Sequence, residues 1–483
     1  MATTGDKAGN PAVIPLIINN EDVVTETRID VRNPASGQLL HQSSSASVDD
    51  AKRAVDAAQA AFPAWKKMKP FARRDILLKA ADLMLARKEE LVRYQVEETG
   101  AQRLFAEITI MIGVNFLKDF AARIPTIAGR VPEVAEEGQS AIVYKEPYGV
   151  ILGIAPWNAP FILGTRAVAI PLAAGNTTVL KGSELSPKCF WALVDVFRQA
   201  GLPKGCINLV YHRTSDAAEV TTALIAHPAV RKINFTGSTQ VGSIVASTAG
   251  KYVKPVLLEL GGKASAIVLD DADLNKAAMG CVMGAFMNAG QVCMSTERII
   301  VQRSILEPFR RVLVETAERV FGKGTPAPVL ISGAAVEKNR RLVADALSKG
   351  ASILFGDPDA REESPASMRP LIVENVTKEM DLYSTESFGP TVSLIVADSE
   401  EEAVALANDT EYGLTASVYT ENLSRGLRIA KQIESGAVHI NSPTIHDEPV
   451  LPHGGVKASG FGRFGGSSGL DEFLVTKSVT WLD

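Results

Sequence analysis

The sequence predicts an α/β protein built from two doubly wound α/β domains. Three observations point there. At 483 residues the chain is longer than a single hydrophobic core ordinarily serves. From about residue 148 onward, short apolar runs alternate with segments of helical periodicity and short connections. That is the pattern of a parallel sheet covered on both faces. The alternation then restarts near residue 263, which gives a second set.

Taken in order, residues 1–45 are polar and turn-rich, with a strand expected at 13–18 and a turn at Asn33-Pro34-Ala35-Ser36-Gly37. Ser47 is a good N-cap for a helix running through Ala61, and further helical patterns cover 71–99 and 101–124. Pro132 and Gly138 mark a break. The first alternating set then places strands at 149–155, 177–180, 207–211, 232–235 and 256–260, with helices near 160–173, 187–200, 214–226 and 239–249. The second opens with a strand at 264–269 and a helix over 273–289, followed by strands at 298–301, 352–355, 371–376 and 438–441. Two segments, 141–146 and 473–482, fit neither set. They read as exposed strands awaiting a partner edge, and so as a sign of an oligomer, or as caps on the sheets within one subunit. The resulting division is 1–130 with 148–262, then 263–465, with 131–147 and 466–483 set apart.

Composition narrows the class. The chain is 46% hydrophobic and 22% charged, and its net charge of −5 argues against nucleic acid or an anionic membrane as partner. Cysteines 189, 206, 281 and 293 form no CxxC pair or disulfide framework, so they read as reduced thiols, and no metal site is expected. Met1 to Leu16 lacks the basic and apolar regions of a secretory signal, and prolines break the longest apolar stretches. Cytoplasm is the expected compartment.

The candidate chemistry centres on Phe286-Met287-Asn288-Ala289-Gly290-Gln291-Val292-Cys293. Gly290 is a natural helix terminator, so Cys293 falls on a loop held by a buried helix. A helix C-terminus disfavours a thiolate, so activation of this thiol has to come from elsewhere. Glu259, set between aliphatic neighbours in Leu257-Leu258-Glu259-Leu260, reads as a buried carboxyl whose pKa burial raises, and therefore as a general base. Asn158, after Pro156-Trp157, either caps the next helix or donates its amide to a ligand oxygen. Lys181 ends a strand with Glu184 three residues on, so the pair either meets the hydroxyls of a ribose or forms a surface ion pair. Gly237 and Ser238, between a strand and a helix, suit a phosphate or an ordinary turn.

In order along the chain, Pro156-Trp157-Asn158, Lys181-Gly182-Ser183-Glu184, Phe235-Thr236-Gly237-Ser238, Glu259-Leu260-Gly261-Gly262-Lys263, Asn288 to Cys293 and Glu386-Ser387-Phe388-Gly389-Pro390 resemble the NAD(P)-dependent aldehyde dehydrogenase superfamily. The resemblance runs from about residue 15 to the C-terminus. It implies a Rossmann-like cofactor domain, a catalytic domain and a small β ribbon for oligomerisation, in a homodimer or homotetramer. It implies Cys293 as the nucleophile, forming a thiohemiacetal and, after hydride transfer, a thioester. Asn158 and the Cys293 backbone N–H would stabilise the oxyanion, and Glu259 would activate the water that hydrolyses the thioester. Trp157, Lys181, Glu184, Gly237, Ser238, Glu386 and Phe388 would hold the cofactor. Glu184 beside the ribose would repel a 2′-phosphate, which favours NAD over NADP.

Trp157 to Arg166 is similar to the aryl-aldehyde branch of that family, the salicylaldehyde, benzaldehyde and vanillin dehydrogenases. Arg166 lies about two helical turns beyond Asn158, so both are expected on one side of a helix, with Arg166 binding a ring hydroxyl or stacking on an aromatic substrate. His453, with His446 and Asp447, is expected at the substrate mouth. Many relatives carry a glutamate after Gly-Arg near the C-terminus, whereas Phe464 follows Gly462-Arg463 here, which leaves Glu259 as the main base. The reading is thus an enzyme acting on a small-molecule aldehyde, probed against two rivals: a broad aliphatic or semialdehyde dehydrogenase, and a non-catalytic protein of the same fold.

Overall fold

In the computed structural model, residues 12–482 are described. Residues 1–11, within the stretch expected to lack a secretory signal, and Asp483 lie outside them. The protein is a mixed α/β structure organised by two large sheets. An eight-stranded sheet takes the strands Val150–Ile154, Thr177–Lys181, Ile207–Val210, Val230–Thr236 and Val256–Glu259 as parallel neighbours. Leu16–Ile18 and Glu21–Val23 extend one edge, and Gly460–Phe461 pairs antiparallel with Val256–Glu259 at the other. A seven-stranded sheet runs from Ala264–Val268 to Ala437–Ile440 in sequence and is parallel except at Ser352–Phe355. Its central strands are buried on both faces, as crossover helices require. No helix among the described residues is long and apolar enough to cross a membrane.

The two unassigned segments find each other. Gln139–Pro147 and Leu474–Leu482 pair antiparallel over nine residues as a separate ribbon, leaving Tyr144, Val479 and Leu482 exposed.

Several expectations are corrected. The helix expected over 71–99 is two, Pro70–Ala86 and Lys88–Thr99. Between them Arg87 leaves helical geometry, and its guanidinium binds Glu90 and, across to another helix, Asp195 at 2.8 Å. The helix from Ser47 continues to Lys67, its start fixed by a capping box with Asp50. The strand expected at 13–18 divides at Pro15. Arg28–Arg32 and Leu39–Ser44 form a hairpin that the polar composition hides, and Thr391–Ala397 and Thr415–Tyr419 are central strands whose serines and threonines interrupt the apolar pattern.

Candidate active site

Strand register builds the site. Ile154 pairs with both Lys181 and Phe235, and Thr236 pairs with Glu259. The carboxyl ends of four neighbouring parallel strands therefore finish nearly level, the place where open α/β sheets bind ligands. Ser238 caps the helix Thr239–Lys251, its hydroxyl accepting from Val241 N at 3.4 Å. Lys181 Nζ lies 3.6 Å from the Glu184 carboxylate, which also accepts from the Thr214 hydroxyl at 3.4 Å. Burial lowers the Lys181 pKa.

The nucleophile loop is more strained than a simple glycine cap. The helix is Leu274–Phe286 with Asp273 as its N-cap, so it ends before the expected residue 289. Asn288, Ala289 and Gly290 then adopt left-handed geometry in succession, at φ 52°, 56° and 71°. A non-glycine residue there costs on the order of 1–3 kcal/mol, and surrounding contacts must hold it. Gln291, buried, does so: its side-chain amide donates to Asn288 O at 3.1 Å and Val329 O at 3.3 Å, and its Oε1 accepts from Ile331 N at 2.8 Å. A Cβ at Gly290 would overlap the Gly389 carbonyl oxygen, and one at Gly262 would overlap that of Cys293. Asn158 does not cap the following helix, whose N-cap is Ala159 without a side-chain bond. Its amide donates instead to Gln291 O at 3.0 Å, tying it to the Cys293 loop.

A second loop closes the site. Buried Lys263 and Glu297 pair at 2.6 Å, and Glu297 accepts from Ser387 N at 2.9 Å, the Ser387 hydroxyl at 2.8 Å and Phe388 N at 3.1 Å. Glu386 so held accepts from Gly262 N at 2.8 Å, and burial, then repulsion from Glu297, pushes its carboxyl up to about 7. Phe388 packs edge-on against Trp157, ring centroids 6.0 Å apart.

Two cavities meet at Cys293. A cleft of about 270 Å³ is lined by Trp157, Gly237, Ser238, Glu259, Glu386 and Phe388, with Asn158, Leu163 and Cys293 at its inner end. A smaller pocket of about 80 Å³ shares Asn158, Leu163 and Cys293 and continues between Phe105, Ile112, Ile162 and Met287 to Arg166 and Asp447. The structure thus brings nearly all the expected residues into one place. Lys181 and Glu184 sit one strand away and do not line the cleft. The Arg166 guanidinium, expected to face substrate, is ion-paired to Asp447 and lies 4.8 Å over the Phe116 ring. His453 lies between two carboxylates, Nε2 3.8 Å from Glu259 and Nδ1 3.9 Å from Asp447.

Electrostatics revises the expected role of burial. At Glu259, fully buried, burial pushes the carboxyl up, but His453, Arg166 and the Cys293 thiol outweigh it, so its pKa lies below the ordinary glutamate value. The expected rise is corrected: aliphatic sequence neighbours say nothing of the polar groups brought from elsewhere in the fold. Burial and then the Glu259 charge push the Cys293 thiol well up, so the resting sulfur is protonated. Sequence reasoning missed Lys263–Glu297, Gln291 and Lys338, which also lines the cleft. Gln291 and Lys263 stood beside recognised residues; Glu297, in a buried strand, carried no signal.

Residues 21–479 match the model of the Aldehyde dehydrogenase family. A vanillin dehydrogenase of Pseudomonas fluorescens is 41% identical, the match covering 97% of either chain. The crystal structure of a salicylaldehyde dehydrogenase from Pseudomonas putida G7, complexed with salicylaldehyde, matches with a TM-score of 0.94 at 37% identity over 98% of both chains. That of an E. coli NADP-dependent enzyme matches with a TM-score of 0.94 at 35% identity, covering 97% of this chain and 98% of the other.

Proposed function

The chain belongs to the aldehyde dehydrogenase family, and from that premise we propose that it oxidises aromatic aldehydes of the benzaldehyde, salicylaldehyde or vanillin kind to carboxylic acids, with NAD as hydride acceptor. The observation that carries this reading is the position of Cys293, with Asn158, where a cleft carrying Glu259 and Glu386 and an apolar pocket meet. The apolar pocket suits an aromatic ring. It suits a semialdehyde poorly, because Asp447 already neutralises the guanidinium that a second carboxylate would need.

The cleft fits a dinucleotide. It opens at the carboxyl ends of the strands beside a helix N-terminus, and glycine at 261 lets the Glu386 carboxylate approach to where a Cβ would stand 2.8 Å from it. Glu386 and Phe388 would hold the nicotinamide side, Ser238 and Gly237 the pyrophosphate, and Lys181 and Glu184 the adenosine ribose. NAD, when bound, supplies the hydride acceptor. Cys293 gives up its proton to water in the cleft and its sulfur attacks the aldehyde carbon, while the Asn158 amide and the Cys293 N–H donate to the developing oxyanion. The resulting acyl group stays on sulfur as a thioester until Glu259 takes a proton from the attacking water. Four free cysteines support a reducing compartment such as the cytoplasm. The ribbon's exposed apolar residues support assembly into a homodimer or homotetramer.

A panel of aldehydes with NAD and with NADP, read as reduced-cofactor absorbance, tests the proposal. The expected result is a higher kcat/KM for the benzaldehydes than for succinic semialdehyde or alkanals, and for NAD than for NADP. Preference for the semialdehyde would overturn the substrate assignment, and no absorbance change with any aldehyde would favour the non-catalytic rival.

A further inference from the structure

Glu259 has no exposed surface, and neither of its carboxylate oxygens has a hydrogen-bond partner. A base in that position can take one proton from water, but cannot hand it directly to solvent. Besides the Cys293 sulfur, which the departing acid reprotonates, the ionisable neighbour that can receive it is His453, whose Nε2 lies 3.8 Å from the carboxylate, is itself without a hydrogen-bond partner, and whose side chain keeps 8% exposure. On its other side Nδ1 lies 3.9 Å from Asp447, which is ion-paired to Arg166. The histidine backbone is fixed too, exchanging hydrogen bonds of 2.6 and 2.7 Å with Phe464.

We propose that His453 is a positioning residue through which Glu259 sheds the proton it takes from water, with Asp447 orienting the imidazole. This rests on the hydrolytic dehydrogenase reading above. Water adds to the thioester carbon as Glu259 takes one of its protons. The carbon–sulfur bond breaks, its electron pair returns to the Cys293 sulfur, which takes the proton of the new carboxylic acid to become a thiol again, and the carboxylate leaves. The proton on Glu259 then passes to Nε2 of the neutral ring, whose Nδ1–H points to Asp447, and from the ring to solvent. Glu259 is a base again, and nothing is oxidised or reduced in the transfer. The separation of 3.8 Å closes to hydrogen-bond length once Glu259 carries the proton, or one water spans it.

The ring works in this way only while Nε2 is free to accept. The charged and titratable groups facing it are Glu259 on its strand, Asp447 in its loop with Arg166 behind, His439 on the strand Ala437–Ile440, and the Cys293 thiol beyond Glu259. Burial and the neighbouring His446 and His453 lower His439 to about 4, so it stays neutral and does not compete for the proton. Removing the Nε2 acceptor breaks the relay, so thioester hydrolysis slows while thioester formation does not follow it.

The test is rapid quench of the whole enzyme with benzaldehyde and NAD, following the acylated protein by intact mass, for wild type, His453→Gln and His453→Phe. The second variant keeps an apolar ring in the enclosed site should the first fold poorly. Expected are acyl-enzyme formation within about two-fold of wild type and decay slowed roughly ten-fold or more. Decay rates matching wild type in both variants would overturn the relay and leave the dehydrogenase reading intact. Equal slowing of formation and decay would overturn it as well, because the ring would then matter only to the shape of the site. Absence of any acyl-enzyme in the wild type would overturn the underlying reading and the relay with it.

Discussion

Lys263 and Glu297 meet at 2.6 Å with side chains 0% and 4% exposed, joining the strand that follows the Glu259 motif to the loop that carries Glu386. Removing one partner leaves an uncompensated buried charge, which typically costs about 3–5 kcal/mol. Lys263→Met is therefore expected to destabilise the protein by that order in denaturant unfolding. Glu297→Gln should cost less, since its amide oxygen still accepts from the loop, but it should loosen Glu386 and weaken NAD binding measured by calorimetry.

In its proposed role at the nicotinamide side, Glu386 should tie cofactor affinity to pH. With its carboxyl pushed up to about 7, it is protonated below that value and ionised above it. The ionised form is the better acceptor for ribose hydroxyls. NAD affinity should therefore rise as pH increases through about 7, and Glu386→Gln should abolish that rise. The comparison needs only the binding constant at several pH values.

Glu184 is the proposed determinant of cofactor choice. In the proposed site its charge, beside Lys181, would repel a 2′-phosphate across a partly solvated gap worth about 1–2 kcal/mol. Glu184→Gln should raise kcat/KM for NADP roughly ten-fold while changing that for NAD little. An unchanged ratio would place the ribose elsewhere.

Arg166 and Asp447 should behave as a unit. Arg166→Ala alone leaves Asp447 buried and unpaired, and is expected to cost about 3–5 kcal/mol in unfolding experiments. Arg166→Met combined with Asp447→Leu removes both charges and should recover most of that loss. If the single change instead proves stability-neutral while selectively reducing turnover of hydroxybenzaldehydes, the guanidinium serves the substrate and not the ion pair.

How much of this was legible depends on where the determining contact lies. Cys293, Glu259 and Asn158 stand in dense local motifs, and the alternating apolar runs place the strands whose ends carry two of them. The helix before Cys293 ends three residues earlier than a terminator at Gly290 predicts. What ends the helix is the pair of left-handed residues before that glycine, held by Gln291 from within the loop. The acidity of Glu259 escapes its local sequence for a related reason, since His453 and Arg166 reach it from distant segments. Glu297 was invisible, being one acid in a strand whose partners, Lys263 and Ser387, come together only in the fold.

Cys293→Ala should abolish dehydrogenase turnover while leaving NAD binding near wild type, because its backbone and the cleft remain. Glu259→Gln should slow hydrolysis of the acyl-enzyme roughly a hundred-fold or more. The most direct measurement follows from that second variant: quench Glu259→Gln during turnover of benzaldehyde with NAD, digest it, and weigh the peptide containing residue 293. A benzoyl group accumulating on that cysteine is the predicted result; a peptide of unmodified mass, in a variant that still reduces NAD, would contradict the account.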